Sequence, residues 1–210
     1  MKPKIALREI KKAKTKLSIF TSCLSLIGDK TFREIRVEDI CANAEVSMVT
    51  FFKFFPRKED LLVYFMRLWL DQRLLDLRSN PRRGLDAVRY LLGSVSVGAQ
   101  DRPGIMLSLI SFLAEERMHP DMPVLSEAEI HLLYPGHEDA VSPVVPNLGD
   151  LFHQYLSEAQ AEGEVRGDRS VEELVKMLFS IFYGAYLTAH IYQERDVMSM
   201  YELHLAALLK

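Results

Sequence analysis

Cysteine is nearly absent from this 210-residue chain: Cys23 and Cys41 are the only two, and they form no CxxC. A disulfide framework and a cysteine-built zinc site are therefore not expected, and a reducing, cytoplasmic setting suits the chain. Each thiol sits among apolar helix positions and reads as a small core residue. The six histidines, His119, His131, His137, His153, His190 and His204, are scattered with no HExxH spacing, so no metal ligand set is expected. Glycine-rich phosphate loops, a nucleophile elbow and paired carboxylates are missing as well. No catalytic residue and no cofactor are assigned, and the chain reads as a non-enzyme. No apolar segment of the signal-peptide kind follows the basic N-terminus. The longest uncharged helical stretch, residues 177–193, falls short of the roughly 18 apolar residues that span a bilayer. It also contains Ser180, Gly184, Thr188 and His190. It reads as a buried helix, and no membrane partner is expected.

What is present is charge of opposite sign at the two ends. Residues 1–60 hold 13 Lys/Arg and 8 Asp/Glu, whereas residues 61–210 hold 13 and 21. A basic head on an acidic body points to an anionic partner for the head. About half of the residues are apolar (49%), which is globular composition.

The periodicity is helical nearly throughout, and no strand alternation or internal repeat stands out. Leu17, Phe20, Leu24 and Ile27 recur at three and four, the stripe of an amphipathic helix. A second, short helix is expected over 37–44 and a third over 48–54. Ser47 should cap the third by accepting from the N–H of Val49 or Thr50, and Pro56 should end it. A fourth helix should start near Lys58. "SNPRRG" (residues 79–84) stops it. Further helices are expected over 85–100, 104–117, 123–133, 147–163, 171–192 and 197–209, with a loop over 134–146.

The stretch "SMVTFFKFFPRKEDLL" (residues 47–62) sets aromatic surface beside Lys53, Arg57 and Lys58. On a helix, Phe51 and Phe55 share a face and should anchor it in a small core with Ile40 and Leu24. The opposite edge would present Met48, Val49, Thr50, Phe52 and Lys53. Three short helices with the third exposed match a helix-turn-helix, whose second motif helix enters the major groove.

The segment "RVEDICANAEVSMVTFFKFFPRKEDLL" (residues 36–62) resembles the DNA-binding domain of the TetR family of bacterial transcription regulators. The family pattern reads roughly T-V-x-D-I-A-x-x-A-G-V-S-x-x-T-L-Y-x-H-F-x-S-K-E-x-L. Val37, Asp39, Ile40, Ala44, Val46, Ser47, Thr50, Phe55, Lys58, Glu59 and Leu61 match it. "EAQAEGEVRGDRSVEEL" (residues 158–174) is similar to the helix–GE[LV]R–helix junction of the family's C-terminal half.

The resemblance implies an all-α chain. Residues 1–16 would form a basic arm, 17–60 the helix-turn-helix domain, and 61–210 a helical effector-binding and dimerisation domain. The N-terminal stretch reads equally as a frayed tail. DNA contact is implied at Arg36, Ser47, Met48, Val49, Thr50, Phe52, Lys53, Arg57 and Lys58, with Thr50 and Lys58 at phosphates. The bland alternative for the cations is an ordinary solvated face. Phe52 stands where the family has a phosphate-binding tyrosine and cannot donate. Apolar contact with a thymine methyl or a sugar would replace that bond. Arg57 replaces a capping residue, Arg36 a threonine, and Thr31 and Glu45 each a glycine.

An effector cavity is implied near Tyr64, Trp69, Tyr90, Met106, Phe112 and Met118, each of which reads otherwise as plain core. A homodimer is implied through Leu148, Phe152, Tyr155, Ser180, Tyr183, Gly184, Leu187 and Thr188, against the alternative of a monomer core helix. Double-stranded DNA with an approximately palindromic operator, an unknown small molecule and a second copy of the chain are thus the expected partners of a repressor. Two other readings stand beside it. One is an all-helical enzyme or small-molecule carrier with a vestigial helix-turn-helix. The other is a regulator governed by a protein partner through the loop 134–146.

Overall fold

The computed structural model describes residues 5–27, 30–116, 120–141 and 145–209. They form ten α-helices: α1 (Leu7–Ile27), α2 (Val37–Asn43), α3 (Met48–Phe54), α4 (Asp60–Ser79), α5 (Gly84–Asp101), α6 (Pro103–Glu116), α7 (Glu127–Leu133), α8 (Leu148–Ala161), α9 (Val171–Ile191) and α10 (Val197–Leu205). A 3-10 turn at Phe32–Glu34 lies between the first two. Among the described residues the sole β pairing is an isolated bridge, Val165 with Leu209. The all-helical expectation holds.

Three helix starts differ from expectation by more than a residue, and capping explains two of them. α1 starts at Leu7, so residues 7–16 of the stretch read as an arm or a tail are helical. α4 starts at Asp60 rather than Lys58, because the Asp60 carboxylate accepts the Arg57 N–H at 2.8 Å across a turn. α7 starts at Glu127 rather than residue 123. Ser126 accepts the Glu129 N–H, and the Glu129 carboxylate accepts the Ser126 N–H, a reciprocal capping box.

The chain divides into two compact units. The first comprises Met1–Asp71 with Ser111–Pro146, the second Gln72–Ile110 with Asn147–Lys210. In the first, α1 packs on α2 and α7, and α2 on α3. Its core is a chain of rings. Phe20 meets Tyr64 edge-on at 5.1 Å, Tyr64 meets Phe55 at 5.7 Å, and Phe55 meets Phe51 at 6.0 Å. Such contacts add to the area that the rings bury. Lys16 lays its ammonium 4.4 Å from the Tyr64 ring and donates to Glu129 at 2.7 Å. Tyr64 donates to the same Glu129 oxygen at 2.8 Å, so one carboxylate joins α1, α4 and α7.

In the second unit α5, α8, α9 and α10 pack together around Leu91, Phe152, Leu156, Leu178, Phe182 and Tyr201, all buried. The first N–H groups of α5 have no cap of their own. Glu158 accepts from Gly84 (3.1 Å) and Glu164 from Leu85 (2.9 Å). Gly84 has φ +50°, and a Cβ there would collide with the Glu164 carboxylate. α9 is long and apolar enough to cross a membrane by length and composition. Its inner face, from Leu174 to Ala189, is buried against α8 and α10.

Candidate nucleic-acid interface

The interface starts at the end of α2. The Val46 N–H reaches back to the Cys41 carbonyl (3.0 Å) and the Glu45 N–H to that of Ala42 (3.3 Å). This paired closure needs a left-handed residue at Glu45, whose φ is +55°. The sequence offers glutamate where glycine would adopt that conformation without a Cβ penalty. The turn forms nonetheless, and it releases the chain into α3.

Ser47 caps α3. Its Oγ accepts the Thr50 N–H at 3.2 Å and lies 3.0 Å from the Thr50 hydroxyl. Of the two acceptor bonds foreseen for Ser47, the Thr50 one forms. Phe51 and Phe55 are 0% and 2% exposed, and Ile40 is fully buried beside them. Leu24 is half-buried. On the other flank Val49 is 82%, Phe52 43% and Met48 41% exposed. Lys53 is exposed and Thr50 partly so. The Phe52 ring stands edge-on against buried Phe51 at 5.2 Å, which braces it.

The cations around this flank differ in how they are held. Arg36 is exposed and forked onto Asp39 (3.0 and 3.1 Å), which raises its pKa. Arg57 contacts Asp60 at 3.3 Å and Glu116 at 3.0 Å, and both raise its pKa. Surface pairs of this kind are screened by solvent and contribute little, so a phosphate can take either guanidinium at little cost. Lys58 is turned inward. Its ammonium donates to the carbonyls of Phe32 (2.8 Å) and Ile35 (2.9 Å) and lies 4.5 Å from the Phe32 ring. Burial lowers its pKa, against the opposing pull of Glu59 and Cys23. Two of its three N–H groups are thus used inside the head. Lys53 has no carboxylate partner among the described residues, and none of those residues forms a cluster of three or more metal-ligating side chains.

No protein-family profile and no curated protein matches this sequence. Solved structures do match. One is Thermus thermophilus FadR, a TetR-family transcriptional repressor in complex with lauroyl-CoA. It is 24% identical, with TM-score 0.60 over 91% of each chain. Another is a TetR-family regulator from Agrobacterium tumefaciens, 18% identical, with TM-score 0.63 over 95% of this chain and all of that one. A third is regulatory protein TetR from Rhodobacter sphaeroides, 21% identical, with TM-score 0.57 over 92% of this chain and 98% of that one. This is the TetR-family fold.

Within the TetR-family fold the remaining site residues fall in both units. Tyr64, Trp69 and Phe112 belong to the first unit, Tyr90 and Met106 to the second, and Met118 lies outside the described residues. Tyr64 is buried between Phe20 and Phe55 with its hydroxyl on Glu129. Tyr90 donates to Asp76 at 2.7 Å, with the Arg82 guanidinium 5.2 Å from its ring. Met106 and Phe112 are buried, and Trp69 is partly so.

Of the interface candidates, Phe152 and Tyr155 point inward. Phe152 meets Phe179 and Phe182 edge-on at 5.1 and 5.9 Å and belongs to the core of its own unit. Tyr155 is likewise buried within this chain, 6% exposed. Leu148, Tyr183, Gly184 and Thr188 are partly exposed, and Ser180 and Leu187 are open. A Cβ at Gly184 would meet nothing within 4 Å. Two partners escaped the sequence reading. Glu116 lies 59 residues from Arg57 and left no local signal. Glu129 was legible as the third helical position after Ser126.

Proposed function

We propose that this chain is a dimeric, ligand-responsive repressor that binds an approximately palindromic operator. One observation carries the reading. A short, capped helix has one flank locked by Phe51 and Phe55 and the other, with Met48, Val49, Thr50, Phe52 and Lys53, open to water. That is the form a groove-reading helix requires. Arg36 and Arg57, both exposed, are the phosphate contacts. Lys58 acts first as a tie within the head, with one N–H left for a phosphate.

Self-association uses the open side of α9, with Ser180, Gly184, Leu187 and Thr188, and Leu148 beside it. A two-fold axis there relates two reading helices, which must sit roughly 34–36 Å apart to meet successive turns of one DNA face. An effector acts by binding one spacing better than the other. The Thermus FadR neighbour holds lauroyl-CoA, which makes acyl-CoA esters the first ligands to screen here.

The test is selection of bound duplexes from random DNA by the full-length protein at stated salt. Enrichment of inverted half-sites supports the reading. Binding with no sequence enrichment, or no binding, overturns it.

A further inference from the structure

The exposed flank of α3 has an unusual make-up for a reading surface. Between Ser47 and Lys53 there is no Arg, Asn or Gln. Those are the side chains whose paired donors and acceptors match a guanine or adenine edge. Thr50 already shares its hydroxyl with Ser47 at 3.0 Å. Lys53 alone supplies a charged donor.

The rest of the flank is apolar. Met48 and Phe52 are four apart, Val49 and Phe52 three apart, so they form one continuous patch on a helix. All three are open to water. The edge-on contact with buried Phe51 holds the Phe52 ring in place. Phe52 also lacks the hydroxyl that would let it donate to a phosphate. The surroundings are basic: Lys53 lies within the patch, and residues 1–60 carry excess positive charge. An apolar patch in a cationic frame complements a polyanion that displays apolar groups. On the major-groove edges of DNA the apolar group is the C5 methyl of thymine.

We infer that the operator is read chiefly through thymine methyl groups, with T·A pairs in each half-site where Met48, Val49 and Phe52 enter the groove. This rests on the DNA-binding reading above and adds to it the chemistry of what is recognised. Lys53, next to Phe52 in the chain and exposed, supplies a single polar contact beside the methyls.

The experiment replaces thymine by uracil, one position at a time, in a duplex selected by the full-length protein. Uracil pairs identically and lacks only the methyl. Each methyl in contact should cost about fourfold in affinity, the equivalent of one buried methylene. At least two positions per half-site should respond. Val49→Ser, at a position 82% exposed, should abolish the thymine–uracil difference at one of them. If the duplex is bound but uracil leaves Kd unchanged everywhere, the inference falls and the DNA-binding reading stands. If the responding positions are the same in Val49→Ser, the inference also falls. If no duplex is bound, both fall together.

Discussion

Lys58 donates to the backbone carbonyl of Phe32 at 2.8 Å while its ammonium lies 4.5 Å from the ring of the same residue. With the second bond to Ile35, this side chain closes the 3-10 turn between α1 and α2 onto the start of α4. Lys58→Ala leaves two carbonyls without that donor. It should lower stability by about 1.5–3 kcal/mol, the range for hydrogen bonds to a charged group. Urea unfolding without DNA measures this. A residue that served only as a phosphate contact would leave the midpoint where it was.

Glu45 holds a left-handed backbone that costs a side-chain-bearing residue about 1–2 kcal/mol. Glu45→Gly should therefore stabilise the protein by about 1 kcal/mol and raise Tm by about 2–4 °C for a chain of this size. A calorimetric scan decides it, and a lower Tm would show that the glutamate side chain makes a compensating contact.

Glu129 joins α1, α4 and α7. Burial pushes its carboxyl up, but the Lys16 ammonium and the Ser126 hydroxyl and N–H outweigh this, and its pKa lies below the ordinary 4.5. The sign follows. The folded state holds the proton less tightly than the unfolded chain, so the stabilisation is complete above pH 4.5 and is lost as pH falls through the lower folded value. Glu129→Gln should cost roughly 3 kcal/mol at neutral pH, because Lys16 is left inside without its counter-charge. It should also flatten the acid limb of a stability–pH curve. An unchanged acid limb would assign that loss to other carboxylates.

Gly184 faces open space on α9. Gly184→Arg should leave the helical fold intact and, since arginine is the better helix former, raise the stability of the single chain by less than about 1 kcal/mol. It should also prevent self-association through that face. Sedimentation of the native chain and the variant at matched concentration checks this. Identical dimers would move the interface elsewhere.

Much of the fold could be read from the residues because local chemistry set it. Ser47 and Pro56 bracket α3 within the residues that encode it; Ser126 and Glu129 carry a local start signal for α7 as well, which apolar spacing alone places at residue 123 instead of Glu127. The buried pair Phe51 and Phe55 follows from their spacing alone. What escaped depends on distant partners or on a flexible stem. Lysine carries four methylenes, so Lys58 can point outward to a phosphate or fold back over Phe32, and sequence spacing does not distinguish the two. The pairing of Arg57 with Glu116 joins segments far apart in the chain. Phe152 and Tyr155 lie buried on α8, and the apolar spacing of that helix does not tell a face packed within the chain from one packed on a second copy.

Both thiols lie in the head, one on α1 and one on α2, and both are buried. Burial pushes the Cys23 thiol up to about 12, where it is inert as a nucleophile near neutrality. The native head should therefore ignore a maleimide, and labelling should proceed only as fast as these helices part. The protein thus carries its own clock for the parting of its N-terminal helices, one that runs with no dye attached beforehand and that any molecule tightening the head will slow.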